Sequence, residues 1–165
     1  MPILFTPIPT ETARRYQAGG EDANAQRPER ALSDGDGNPC RHCLRFIPRG
    51  RDMLILSHRP FPAPQPYAET GPIFLCAEPC EAPADRAETP EILNSPDYIL
   101  RGYGANDRIV YGTGAVVPAD RLRSEAEARL NDPRVAYVHV RSARNTCYQV
   151  RIDRASSAEQ AGTQT

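Results

Sequence analysis

Seventeen prolines in 165 residues, about a tenth of the chain, restrict its folding more than any other feature. Each fixes its own φ, lacks an amide donor and biases the preceding residue toward extended backbone, so none suits a helix interior or a central strand. Pro60, Pro62, Pro64 and Pro66 predict an extended, polyproline-like connection, and Pro79, Pro83, Pro90 and Pro96 make residues 77–96 an acidic loop. Regular structure has to come in short pieces between them. Hydrophobic residues make up 39%, below the usual ~45–50%, as expected of a chain rich in loops.

The pieces can be placed by pattern. Residues 3–5 read as a short strand, and Thr10 is positioned to N-cap a helix running through Ala18 and ended by Gly19-Gly20. Residues 19–38, poor in apolar side chains, read as a mobile loop. Apolar runs predict strands at 53–56, 73–76, 98–101 and 108–111. The strongest helix signal spans about 118–131: Pro118 at its first position, Leu122, Ala126 and Leu130 on one face, and Asn131-Asp132-Pro133 as a stop. A hairpin over about 134–153 follows, turning at Arg144-Asn145-Thr146. In its second strand Tyr148, Val150 and Ile152 alternate against Gln149, Arg151 and Asp153. In its first strand, apolar residues on both sides predict that both faces are covered. The expected architecture is a single α+β domain over 1–154, with a mostly antiparallel sheet, one main helix and long proline-rich loops. Residues 155–165 are expected to be a disordered tail.

All 20 basic residues are arginine. A chain without lysine can form no lysine Schiff base and carries no Walker A loop, which removes two large enzyme classes. Net charge −1 and 7% aromatic residues argue against a dedicated nucleic-acid binder. No stretch approaches the ~20 apolar residues of a membrane span, and the first residues lack a basic segment followed by an apolar one, so a cytoplasmic protein is expected. Charge is uneven: residues 61–97 carry one arginine against seven acids, whereas 98–154 carry ten against six. Five arginines fall within 40–59, around the first pair of cysteines. This concentration is either an ordinary solvated surface or an anion site.

Cys40-x-x-Cys43 and Cys76-x-x-x-Cys80 carry the clearest chemical signal. Two short-spaced pairs let two local turns deliver four thiolates to one tetrahedral zinc. The intervening residues could run out along the 53–57 strand and return along 73–76, leaving both pairs at one end of the excursion. Three readings stay open: a structural zinc site, free cysteines packed as small hydrophobes, and a redox or disulfide role. His42, inside the first pair, could replace a cysteine as ligand or simply be exposed.

A second candidate centres on Cys147. With His139 as base and Arg101, Tyr103 or Arg141 nearby, it holds the parts of a thiol enzyme or an anion pocket, although a core cysteine among surface arginines fits equally. His58 could serve a strand end or a site. Tyr67, Glu69 and Thr70, in the proline-bracketed loop, could line a pocket or anchor the loop.

The segments Pro39-Cys40-Arg41-His42-Cys43-Leu44, Pro66-Tyr67-Ala68-Glu69-Thr70-Gly71-Pro72-Ile73-Phe74, Arg101-Gly102-Tyr103, and Val138-His139-Val140-Arg141-Ser142-Ala143-Arg144-Asn145-Thr146-Cys147-Tyr148 together resemble the bacterial domain-of-unknown-function family 1203. The resemblance runs from about Phe5 to Arg154. It implies a small bacterial single-domain protein and brings no assigned activity. In the family pattern some members carry histidine at the place of Cys76 and others lack Cys43 and Cys80. That pattern implies a metal used as a structural staple by a subset.

Two functions from different classes follow. The preferred one is a zinc-stabilised small binding domain whose Arg41, Arg101, Tyr103 and Arg141 recognise an anionic small molecule or an acidic protein, with Cys40, Cys43, Cys76 and Cys80 as metal ligands. The alternative is a thiol-dependent enzyme with Cys147 as nucleophile and His139 as base.

Overall fold

Leu122, Ala126 and Leu130, spaced by four, form a continuous apolar stripe, and this stripe closes the main core. The computed structural model describes residues 1–161, and in it this stripe belongs to α2 (Leu122–Leu130), which packs across a five-stranded antiparallel sheet. The strands of that sheet are β1 (Ile3–Thr6), β5 (Asp97–Tyr103), β6 (Ala115–Pro118), β7 (Tyr137–Ser142) and β8 (Tyr148–Arg154), in the order β1-β8-β7-β5-β6. A second antiparallel sheet, ordered β2-β3-β4, consists of β2 (Glu29–Leu32), β3 (Asp52–His58) and β4 (Gly71–Cys76). The α+β class expected from the sequence is therefore the class observed. No helix among the described residues is long and apolar enough to cross a membrane.

The two faces of β7 divide the molecule. Val138 and Val140 point into the core under α2, with Ile3, Phe5, Leu100, Val150 and Ile152. Tyr137, His139 and Arg141, the alternate residues, are buried on the other face. That second face is covered by parts of the smaller unit, where α1 (Thr10–Gln17) contributes Ala13 and Tyr16 to a core with Leu54, Leu56, Ile73 and Leu75. Phe61, from the proline-rich connection, packs with Tyr103 and Tyr137.

A register shift in the β7/β8 ladder alters the predicted hairpin. Val140 faces Val150, but Arg141 faces Tyr148, so Gln149 is an extra residue in β8. The bulge turns Tyr148 away from Val150 and Ile152 and toward the rings of His139 and His58. Simple alternation groups these three apolar residues on one face, and the bulge separates them.

Several boundaries differ from the expectation. β2 lies inside the predicted 19–38 loop, because Glu29 to Leu32 complete the edge of β3 through backbone pairing that needs no apolar pattern. Residues 108–111 form only an isolated bridge between Ile109 and Tyr103. Thr113 ties this segment into a turn, accepting from the Gly102 amide at 2.9 Å, and β6 takes the edge position instead. Pro118 ends β6, and a 3-10 turn at Ala119–Arg121 precedes α2. Pro9 occupies the N-cap position of α1 without a capping side-chain bond, and Thr10 is the first helical residue, its hydroxyl bonded to His42. Within the predicted disordered tail, Ser157–Ala161 form a single helical turn, α3, with Glu159 paired to Arg86; residues 162–165 lie outside the described residues.

Candidate functional site

Antiparallel pairing of β3 with β4 puts Met53 opposite Cys76, so the second cysteine pair comes back to where the first one lies, as the excursion from the first pair requires. The first pair sits on a tight knuckle. Leu44 N–H bonds to the Cys40 carbonyl at 3.0 Å, and Leu44 itself adopts φ 58°, the left-handed conformation that closes the turn. A parallel bridge between Cys40 and Phe74 fastens the knuckle to β4. The result is convergence: Cys40, Cys43, Cys76 and Cys80 offer sulfur atoms that all lie within 4.8 Å of one another. Two of the edges are 3.8 Å, Cys40 to Cys80, and 3.9 Å, Cys43 to Cys76. A tetrahedron of sulfurs at ~2.3 Å from a central zinc has edges of about 3.8 Å. These are not disulfide distances, which are ~2.05 Å. The four cysteines are positioned to hold a metal ion.

The four thiols divide, two drawn toward thiolate and two away from it. Hydrogen bonds from Cys43 and then Cys76 pull the Cys40 thiol down to about 7. Cys80 is pulled below the ordinary thiol range by bonds from Cys40, Cys43 and Cys76, with a further one from His42. The thiols that donate these bonds, Cys43 and Cys76, are pushed up. A cation at the centre would remove that conflict, since four thiols this close cannot ionise together without one. The Cys76 amide also donates to Cys40 Sγ at 3.3 Å.

Behind the sulfurs stands α1. His42 is fully buried, neither exposed nor in the cluster itself, with Nδ1 3.2 Å from Cys80 Sγ and Nε2 2.9 Å from the Thr10 hydroxyl. Donation from Nδ1 to the sulfur leaves Nε2 to accept from Thr10, which assigns the tautomer. Arg14 donates to the Cys80 carbonyl at 2.7 Å, and Gln17 to the Cys76 carbonyl at 3.0 Å. One face of a short helix thus braces the second pair. The sequence signal that could have shown this was the polar side chains at helical spacing along α1, Thr10, Arg14 and Gln17.

A second cluster lies on the face of β5 and β7 away from α2. Register sets Arg101 opposite His139 and Tyr103 opposite Tyr137. Arg101 binds Glu69 through both terminal nitrogens, at 2.6 and 3.3 Å, and Arg141 Nη1 stands 3.5 Å from the same carboxylate. Partial burial pushes the Glu69 carboxyl up, but the Arg101 hydrogen bond and the two guanidinium charges outweigh it and hold the group below its ordinary range. Burial drives the His139 imidazole well below its ordinary value. Glu69 therefore joins the residues that sequence reading grouped as a site: Arg101, Tyr103 and Arg141 do come together.

Arg41 does not join them. It is buried, donating to the Tyr148 and Pro39 carbonyls at 2.9 and 2.7 Å, and burial lowers its pKa to about 10. It lines a cleft of about 280 Å³ together with Cys147, Asn145 and Gln149. Cys147 and His139 are not brought together either. The Cys147 thiol contacts the Asn145 carbonyl, and its neighbour Tyr148 pairs with Arg141, two residues along the strand from His139. His139 is instead enclosed by the rings of Phe61, Tyr103, Tyr137 and Tyr148, with centroids 4.8 to 5.1 Å away. His58 ends β3 in a bond with the Tyr16 hydroxyl at 3.1 Å, and Tyr67 anchors its loop through the Tyr111 hydroxyl at 2.7 Å.

Among known proteins, a family model described as "Protein of unknown function (DUF1203)" matches residues 37–154. No curated protein matches, and no solved structure does.

Proposed function

Because the chain belongs to the DUF1203 family, whose function is unknown, we propose a function from its own geometry: a zinc-stapled α+β domain that binds an anionic small molecule or an acidic protein partner. The convergence of the four sulfurs carries the metal half of this reading. Soft thiolates in a tetrahedral set suit zinc, and four protein ligands leave no open position, as in structural rather than catalytic sites. The ion would tie the knuckle at residues 40–44 to the acidic loop that begins after β4, where the prolines prevent a ladder from doing so. The anion half is supported by the guanidinium groups of buried Arg141 and half-buried Arg101 on the β5/β7 face, since a planar fork suits carboxylate and phosphate.

Elemental analysis of protein purified without added metal tests the reading. The expected result is close to one zinc per chain. Absence of metal, with all five thiols titrating freely under native conditions, overturns its metal half.

A further inference from the structure

Five buried side-chain atoms lack a hydrogen-bond partner among the described residues, and all belong to the cluster on the β5/β7 face: Arg101 Nε, Tyr103 OH, His139 Nδ1, and Arg141 Nε and Nη2. Buried polar atoms are nearly always paired, so five orphans in one place point to something that completes them. The pattern within Arg141 is specific. Its Nη1 reaches the Thr146 carbonyl at 3.1 Å, while Nε and Nη2, which form the side-on edge that grips an oxyanion with two parallel bonds, are both free. Arg141, Tyr103 and His139 are at most 5% exposed, so bulk water does not satisfy these atoms.

Glu69 is differently placed. Its side chain is 45% exposed, at the end of the proline-bracketed connection just before β4. It reaches inward as the one carboxylate paired with either arginine among the described residues. It engages Arg101 well and Arg141 poorly, leaving the better edge of the more deeply buried guanidinium unused.

We propose that Arg101, Tyr103, His139 and Arg141 form the binding site for a small oxyanion, a carboxylate or phosphate group, and that Glu69 is an internal stand-in which the ligand displaces. This deepens the anion half of the function proposed above and rests on it, but is independent of the metal. The ligand takes the Arg141 edge and the Tyr103 hydroxyl, and Glu69 swings to solvent on its loop. The internal carboxylate makes the site selective, because a weakly bound anion such as chloride does not compete with a tethered, bidentate carboxylate.

The test is calorimetric titration of the full-length, metal-loaded protein with inorganic phosphate and, separately, with succinate, at ionic strength held constant with chloride. Removing the competitor in Glu69→Gln should tighten at least one of the two probes tenfold or more, at one site per chain, and the arm that responds identifies the oxyanion. Adding Arg101→Gln or Tyr103→Phe to Glu69→Gln should undo that gain tenfold or more, with far-ultraviolet dichroism and metal content showing each variant folded. A Glu69→Gln protein that is unfolded alone but folds on adding phosphate or succinate supports the proposal equally. No saturable binding to folded Glu69→Gln, or binding that both second substitutions leave unchanged, overturns it. Anion binding by native protein that holds no metal would count against the zinc reading alone.

Discussion

His42 shows how one side chain can serve a centre it does not ligate. Fully buried between Thr10 and Cys80, it fixes the direction of one sulfur lone pair and adds a positive dipole where thiolate charge collects. Replacing it by phenylalanine keeps a ring in the slot and removes the donor. The His42→Phe protein should retain metal stoichiometry but lose about 10–100-fold in metal affinity, read by competition with a chromogenic chelator. His58 makes a separate prediction. Burial and then the charges of Arg15, Arg59 and Arg41 lower its pKa to about 4, whereas an unfolded histidine titrates at ~6.5. Between those values the unfolded chain binds the extra proton, so stability falls as pH drops through that window, by up to ~1.4 kcal/mol per pH unit. Urea midpoints measured at pH 7 and pH 5 should therefore separate less in His58→Gln than in the native protein. At this scale the spacing of the two cysteine pairs anticipates their convergence, and Arg101, Tyr103 and Arg141 do meet, whereas Arg41 lies apart from them. The sequence singled out His42 and Glu69 without their partners, Cys80 and the two arginines, because a side chain's partner depends on distant residues.

At the scale of elements, α2 was legible because its stripe recurs at the helical period and has a proline on each side. Leu130, 1% exposed, lies at the end of that stripe. Leu130→Ala should cost about 2–5 kcal/mol, measured by urea unfolding of the metal-loaded protein, with metal content unchanged. β2 was not legible, since an edge strand held by backbone pairing has no need of apolar alternation. Nor was the Gln149 bulge, which reverses the face of Tyr148 and so supplies one wall of the ring cage around His139. Alternation predicts faces only while the register is unbroken.

For the whole molecule, the decisive relation is between two cores of different security. The α2 core has a stripe and a five-stranded sheet, while the smaller unit has three strands, a short helix and proline-rich segments that cannot extend its ladder. A metal at the four sulfurs would secure the smaller unit where hydrogen-bonded structure stops. An ion present at about 1,000 times its dissociation constant adds ~4 kcal/mol. For a chain of this length that is about 8–16 °C in thermal midpoint. Chelation should lower the midpoint by that order, measured by differential scanning calorimetry, and re-addition of one equivalent of zinc should restore it. An unchanged midpoint would mean that packing alone secures the cysteines.

By itself the sequence determined what depends on local spacing: the α+β class, the main helix, the paired cysteines at one end of a strand pair, and guanidinium as the sole fixed side-chain cation. Tertiary structure alone decided which groups meet: His42 with Cys80, Glu69 with two arginines, Cys147 apart from His139, and five buried polar atoms left without partners among the described residues. Spacing governs the direction of a side chain relative to its own element, whereas encounters between elements follow from register, bulges and packing, which no single segment encodes.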